Sequence, residues 1–218
     1  MTSRLKGRWG PLMETPGFFT GTPEDLAAMA RAIRQVLPPP TRLMIGAWEG
    51  QDGAGAENSL LRYARAADGA GGFGRDHAQA LSVHSYTYRN DPNKMIAELE
   101  GYDARFREAG FKPHLPRHVS ECGAEAPEFW TATNPPLEIK VRCVKRWLMI
   151  PAAMGYLGVY LYRHSLMRTL GDPAHEPALA QAMGEMRDAL RGRIILQAAE
   201  LEDGTIWLAR ADGREVLA

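Results

Sequence analysis

The sequence predicts an α/β fold built on a parallel sheet, and three observations lead to that prediction. Segments with helical and strand-like patterns alternate four times at intervals of roughly 35 to 40 residues, as repeated βαβ units do. The strand-like segments are short, and the first of them is mostly apolar without alternation, which is typical of strands buried on both faces. No internal sequence repeat is evident, so we expect a doubly wound sheet or a barrel rather than a solenoid.

The helices are predicted from their end signals. The first begins after Thr22, a capping residue, with Pro23 at the first helical position, and prolines 38–40 stop it. Gly110 is expected to cap the carboxyl end of the third helical segment, and paired prolines begin the fourth. The predicted helices cover residues 22–37, 56–68, 92–110, 135–154 and 177–192.

The strands are predicted between these helices, at residues 42–48, 80–88, 114–121 and 155–164. The third of them is expected to end at Glu121. After the last helix, the Asp-Gly pairs at 203–204 and 212–213 mark two turns between short strands. Residues 1–192 are therefore predicted to form one α/β domain, and residues 193–218 a small β appendage.

The composition limits the class of partner. Lys and Arg together number 26, as do Asp and Glu, so no basic surplus indicates a nucleic acid or an anionic membrane. Cys122 and Cys143 are too few for a disulfide framework, and the first residues lack the apolar stretch of a signal peptide. The most apolar region, residues 147–162, is shorter than the roughly 20 residues needed to cross a bilayer. We expect reduced thiols in a cytoplasmic chain that binds a small neutral molecule or a protein.

A barrel is favoured over a doubly wound sheet because acidic and aromatic residues follow the predicted strands. In a (β/α)8 barrel the functional side chains gather at the carboxyl ends of the strands. The residues at those positions here are Glu49, His84, Tyr86, Glu121, Tyr162 and His164.

The order of these residues resembles the C-terminal part of the large clan of retaining glycoside hydrolases with (β/α)8 barrels. Ser120-Glu121-Cys122-Gly123 is similar to the clan's nucleophile motif, Thr/Ser-Glu-Phe/Tyr-Gly, at the end of the seventh strand. His84-Ser85-Tyr86 is similar to the end of its sixth strand, and LMETPGFFTGTPEDL, residues 12–26, resembles the segment that carries its acid/base Glu after the fourth. The resemblance implies that residues 1–192 form a partial barrel, about strands four to eight.

The resemblance also implies roles for individual residues. Glu121 is expected to be the nucleophile and Glu14 the acid/base, with Glu49 as the alternative acid. The other expected substrate contacts are His84, Tyr86, Tyr162, His164, Trp48 and Glu49. No metal is expected, because Pro116 between His114 and His118 forbids an ordinary helical ligand pair. No cofactor is expected either, and the glycine-rich loops do not form the strand-to-helix Gly-x-Gly-x-x-Gly unit that binds phosphates.

Two functions from different classes follow. The first is a glycoside hydrolase that acts on a carbohydrate and obtains its missing barrel strands from a partner or a homo-oligomer. The second is a catalytically degenerate barrel fragment that serves as a carbohydrate-binding or structural interaction module. The second is favoured by Met13, which stands where the clan has an Asn, and by the absence of residues for strands one to three.

Overall fold

The computed structural model describes residues 21–49, 59–87, 92–124, 135–161 and 173–218. Its helices are α1 (Pro23–Val36), α2 (Ser59–Arg65), α3 (Lys94–Glu108), α4 (Leu137–Ala153) and α5 (Glu176–Leu190). Its strands are β1 (Met44–Glu49), β2 (Ala80–Thr87), β3 (Arg117–Ala124), β4 (Gly158–Leu161), β5 (Ile195–Glu200), β6 (Ile206–Arg210) and β7 (Glu215–Leu217). Short 3-10 helices cover Gly74–His77 and Pro173–His175.

The strands form two sheets. Strands β1 to β4 make a parallel four-stranded sheet in the order β1-β2-β3-β4, with helices between successive strands, which confirms the α/β prediction. Strands β5 to β7 make a three-stranded antiparallel sheet. Gly204 and Gly213 have φ angles of 78° and 79° in its two turns, so both Asp-Gly turns are where the sequence predicts them.

Helix α1 begins as its sequence predicts. The Thr22 hydroxyl accepts a hydrogen bond from the Asp25 amide at 3.1 Å, and the Asp25 carboxylate accepts one from the Thr22 amide at 2.8 Å. The bonds that the Asp25 carboxylate accepts from the amide and the hydroxyl of Thr22 lower its pKa. Gly110, with φ of 76°, follows the end of α3 as expected.

The predicted end of the third strand is wrong. Strand β3 continues past Glu121 to Ala124, so Glu121 lies inside the strand. The reason is that Cys122 is fully buried and belongs to the apolar core, whereas the sequence pattern treats Cys-Gly-Ala as a turn.

The chain divides into two compact units. The described part of unit 1 consists of residues 21–49, 59–84 and 100–118, and that of unit 2 of residues 85–87, 92–99, 119–124, 135–161 and 173–218. The antiparallel sheet β5-β6-β7 therefore belongs to the same unit as α4 and α5. None of the helices in the described ranges has the length and apolar character needed to cross a membrane.

An aromatic cluster forms the centre of unit 1. The ring of Trp48 lies 6.0 Å from that of Phe106, 6.2 Å from that of Phe111 and 6.3 Å from that of Tyr63, measured between centroids. Phe106 and Phe111 meet edge to face at 6.0 Å. These separations are in the range where aromatic pairs add to the free energy gained by burial.

Helix α4 forms the centre of unit 2. It packs against α5 and contacts β4, β5 and β6. Trp147 is fully buried on it, as its apolar helix face predicts. Arg146, also buried, donates from Nε to the carbonyl oxygen of Ala218 at 2.9 Å and from its guanidinium to Asn93 at 3.1 Å. These bonds hold the antiparallel sheet against α4.

A β-bulge interrupts β1 just before its carboxyl end. Gly46 pairs with Ser82 but Trp48 pairs with Val83, so Ala47 is an extra residue. Gly46 has φ of 133°, and a β-carbon at this position would lie 2.1 Å from the carbonyl oxygen of Ser82. Only glycine tolerates both the dihedral angle and the close approach.

Replacing Gly46 by alanine should therefore destabilise the fold by about 2 to 4 kcal/mol in chemical denaturation. The physical reason is the overlap of the added methyl with the Ser82 carbonyl oxygen, in addition to the dihedral strain. Gly192→Ala is the matched control, because Gly192 has φ of 64° but a β-carbon there would meet no atom within 4 Å. The control should cost about 1 kcal/mol. An equal loss of unfolding free energy in the two variants would contradict the close approach of β1 to β2.

Candidate active site at the ends of the parallel strands

The bulge in β1 determines which residue of β2 lies beside the carboxyl end of β1. The backbone of Glu49 pairs in register with that of His84, while Trp48 pairs with Val83. In a regular ladder without the bulge, Ala47 would pair with Val83, and Trp48 would take the place beside His84. The structure thus places the backbones of Glu49 and His84 side by side, and both residues belong to the set selected from the sequence.

In unit 1 the hydroxyl of Tyr102, on α3, holds β1 and β2 together at Trp48 and His84. It lies 3.1 Å from the carbonyl oxygen of Trp48 and 3.4 Å from that of His84, so its proton can be donated to either. Tyr102 is 1% exposed and His84 is 2% exposed. Water therefore does not compete for these bonds, and the backbones of Trp48 and His84 are held in a fixed position relative to each other.

A buried polar group marks the helix-facing side of the sheet in unit 2. The Ser85 hydroxyl donates to the Glu98 carboxylate on α3 at 2.5 Å. Cys122 on β3 lies near the same carboxylate, and burial, together with the charge of Glu98, raises the pKa of its thiol. The Cys122 thiol donates to the carbonyl oxygen of Tyr160 at 3.7 Å. Ser85 and Cys122 therefore face α3.

Glu121 lies on the opposite face of β3 from Cys122, because side chains alternate along a strand. It is half-buried, whereas Cys122 is fully buried. By the same alternation His84 lies on the opposite face of β2 from Ser85. Glu121 is therefore on the face of β3 away from the Glu98 carboxylate.

The remaining predicted residues are distributed as follows. Tyr86 follows Ser85 in the backbone of β2. Trp48 is 6% exposed and its ring belongs to the aromatic cluster of unit 1. Glu14, Tyr162 and His164 lie outside the described residues.

The sequence analysis missed a buried amine in unit 2. Lys140 on α4 is 0% exposed, and its Nζ lies 3.1 Å from Nδ1 of His175. An ammonium has only donors, so the imidazole nitrogen accepts this bond. The signal in the sequence is the position of Lys140, which precedes Cys143, Val144 and Trp147 at the spacing of one helix face.

A carboxylate and imidazole pair in unit 1 was missed as well. The Asp68 carboxylate accepts a bond from His77 Nε2 at 2.8 Å, and accepts two more from the amides of Ala70 and Gly72 at 2.8 and 2.9 Å. Asp68 thus closes the glycine-rich loop after α2 on itself. The signal is an Asp followed by glycines, which is typical of turns stabilised by the Asp side chain.

Among the residues with described coordinates, no group of three or more His, Cys, Asp or Glu side chains has the arrangement of a metal site. No protein-family model matches the chain, and no curated protein matches it either. The site is thus characterised by its geometry alone.

The Asp68 loop should make stability depend on pH in the acid range. Bonds from Ala70, Gly72 and His77 lower the pKa of Asp68 to about 2 from its ordinary value of 3.8. The folded state therefore favours the carboxylate, and this stabilisation is complete above about pH 4 and is lost as the pH falls toward 2. Denaturation of the wild type and of Asp68→Asn should show a gap in unfolding free energy at pH 6 that narrows below pH 4. A gap of constant size down to pH 2.5 would contradict this role.

Proposed function

We propose that the chain is a glycoside hydrolase-like protein that hydrolyses O-glycosidic bonds by a two-carboxylate retaining mechanism on a partial (β/α)8 barrel, about strands four to eight. The observation that supports this proposal is the position of Glu121. It is a half-buried acid in a parallel strand, on the face opposite the Glu98 carboxylate. Barrel enzymes present catalytic carboxylates near the carboxyl ends of their strands, and Glu121 lies three residues before the end of β3.

In this mechanism the Glu121 carboxylate attacks the anomeric carbon while the Glu14 carboxyl group donates its proton to the leaving oxygen. The glycosyl-enzyme ester is then hydrolysed by water, which gives a proton back to Glu14 and frees Glu121. Tyr86, Tyr162 and His164 would contact the sugar. The other proposed substrate contacts are Glu49, His84, which is 2% exposed, and Trp48, which is 6% exposed.

The partner and the location belong to the same proposal. The chain would obtain its remaining barrel strands from a second copy or a partner chain, and it would act in the cytoplasm. Cys122 and Cys143 support a reducing compartment, because both are free thiols.

The first test is covalent trapping at Glu121. A 2-deoxy-2-fluoro glycoside with a good leaving group should add one glycosyl mass to the wild-type chain, on the peptide that contains Glu121. Glu121→Gln should abolish the adduct and lower hydrolysis of aryl glycosides by at least about 10³-fold. The control is Glu138→Gln, which removes the same charge from an exposed position in the first turn of α4. An adduct that persists in Glu121→Gln would remove Glu121 from the mechanism.

The second test separates the two candidate acids. Glu14→Ala should slow hydrolysis of substrates with poor leaving groups by about 10² to 10⁴-fold, and added azide should restore the rate with activated substrates. Azide rescues because it attacks the glycosyl-enzyme without help from a base. Rescue of Glu49→Ala instead of Glu14→Ala would assign the acid/base role to Glu49.

A second candidate function is a carbohydrate-binding or interaction module without turnover. The observation that favours it is the exposure of Leu157 and Tyr160, 73% and 57%, at strand β4. Exposed apolar side chains at a sheet edge are typical of surfaces that other chains cover. Binding of a glycoside without an adduct or turnover would favour this function.

A further inference from the structure

Strand β4 lies at the edge of the parallel sheet. It has β3 on one side, and none of the strands in the described ranges pairs with its other side. Tyr160 in β4 is 57% exposed. An open edge of this kind offers a row of backbone donors and acceptors to another strand.

Helix α5 lacks the strand that normally follows such a helix. Among the regular helices and strands, α5 comes next after β4. In parallel α/β folds, the helix after a strand leads to a second strand that pairs beside the first, and the helix packs over these two strands. Here the next strand is β5, which pairs with β6 in the antiparallel sheet. The position beside β4 under α5 is therefore not filled by β5.

A groove of about 970 Å³ lies at this position, within unit 2. Val159 and Leu161, which share one face of β4, form one wall. Residues of α4 and α5 form the rest of the apolar surface, among them Leu148, Ala152, Leu179, Met183 and Leu190. The groove thus runs between β4 and the two helices α4 and α5.

Gly184 shows that the groove is open beneath the middle of α5. It lines the groove, and a β-carbon at this position would meet no atom within 4 Å. Glycine in a helix interior is unfavourable compared with alanine, so the lack of a side chain here is not explained by helix stability. A large side chain at this position would fill the groove, whereas glycine leaves the groove open.

The two ends of the groove differ in charge. Arg187, Arg191 and Arg193 line it at the carboxyl end of α5, and Glu176 lines it at the other end. Asp188 bonds to Arg187 at 2.8 Å and Asp212 lies near Arg193, so the described residues at this end include three cations and two acids, a net positive charge. A crossover helix runs opposite to its strand, so the cationic end lies toward the beginning of β4.

We propose that an extended, mostly apolar polypeptide segment with acidic residues at its amino end adds to the free edge of β4 in the parallel direction. Alternate side chains of the segment enter the groove beneath Gly184, and its acidic end lies beside the three arginines. The charge of the groove and the open edge of β4 favour this occupant over a second copy or a small amphiphile. The inference concerns unit 2 alone and does not depend on the proposed hydrolase chemistry.

The test uses the full chain and a fluorescent synthetic peptide of about eight residues, two aspartates followed by alternating valine and threonine. Fluorescence anisotropy should show saturable binding. Gly184→Leu, which fills the groove, should weaken binding at least about tenfold, whereas Gly184→Ala, which adds one methyl group, should change it less than about threefold. Methylation of the alternate peptide amides that face β4 should also weaken binding by about tenfold, because it removes the strand pairing without changing the side chains.

Several results would overturn the proposal. One is no binding of the peptide at any soluble concentration. Another is equal affinity for the methylated peptide, which would mean that apolar contact alone holds it. A third is that the chain binds dodecanoate but not the peptide, and that Gly184→Leu abolishes the dodecanoate binding. A fourth is that the chain forms a dimer in solution and that Gly184→Leu dissociates this dimer. The methylated peptide keeps the test valid if Gly184→Leu fails to fold.

Discussion

The close approach of β1 to β2 at Gly46 is the constraint on which the arrangement of unit 1 depends. The approach is possible only without a β-carbon, and it accompanies the extra residue that changes the register of β1. The changed register puts the indole of Trp48 among the aromatic rings and places the backbone of Glu49 beside His84. The packing of Trp48 in the aromatic cluster and the pairing of Glu49 with His84 thus both depend on Gly46.

In unit 2 the corresponding constraint is the pairing of buried polar groups. Arg146 and Lys140 are both buried on α4, and each has a specific partner, Ala218 for one and His175 for the other. A buried donor that loses its partner costs far more than a displaced apolar contact. The two side chains therefore restrict how the antiparallel sheet and the turn before α5 can pack on this helix.

The sequence predicts the helices and strands well where local chemistry is decisive. Thr22 caps α1 and Gly110 ends α3, because capping depends on a few neighbouring residues. The end of β3 was misplaced, because Cys122 is an apolar core residue in the fold although it stands beside a glycine in the sequence. The bulge at Gly46 could not be predicted, since its cause is the carbonyl of Ser82 on another strand. For the candidate site, local pattern selected Glu121, Glu49 and His84. It could not reveal that His77 bonds to Asp68, because that pairing depends on the path of a loop.

The burial of Cys122 and Cys143 has a consequence for following the molecule in solution. Both thiols are 0% exposed, and both lie in unit 2. Alkylating reagents react with exposed thiolates, so a modified cysteine records that unit 2 has opened around it. The native sequence therefore contains its own chemical probes of local unfolding, and the rates at which the two sites are alkylated would compare the opening of a strand with that of a helix.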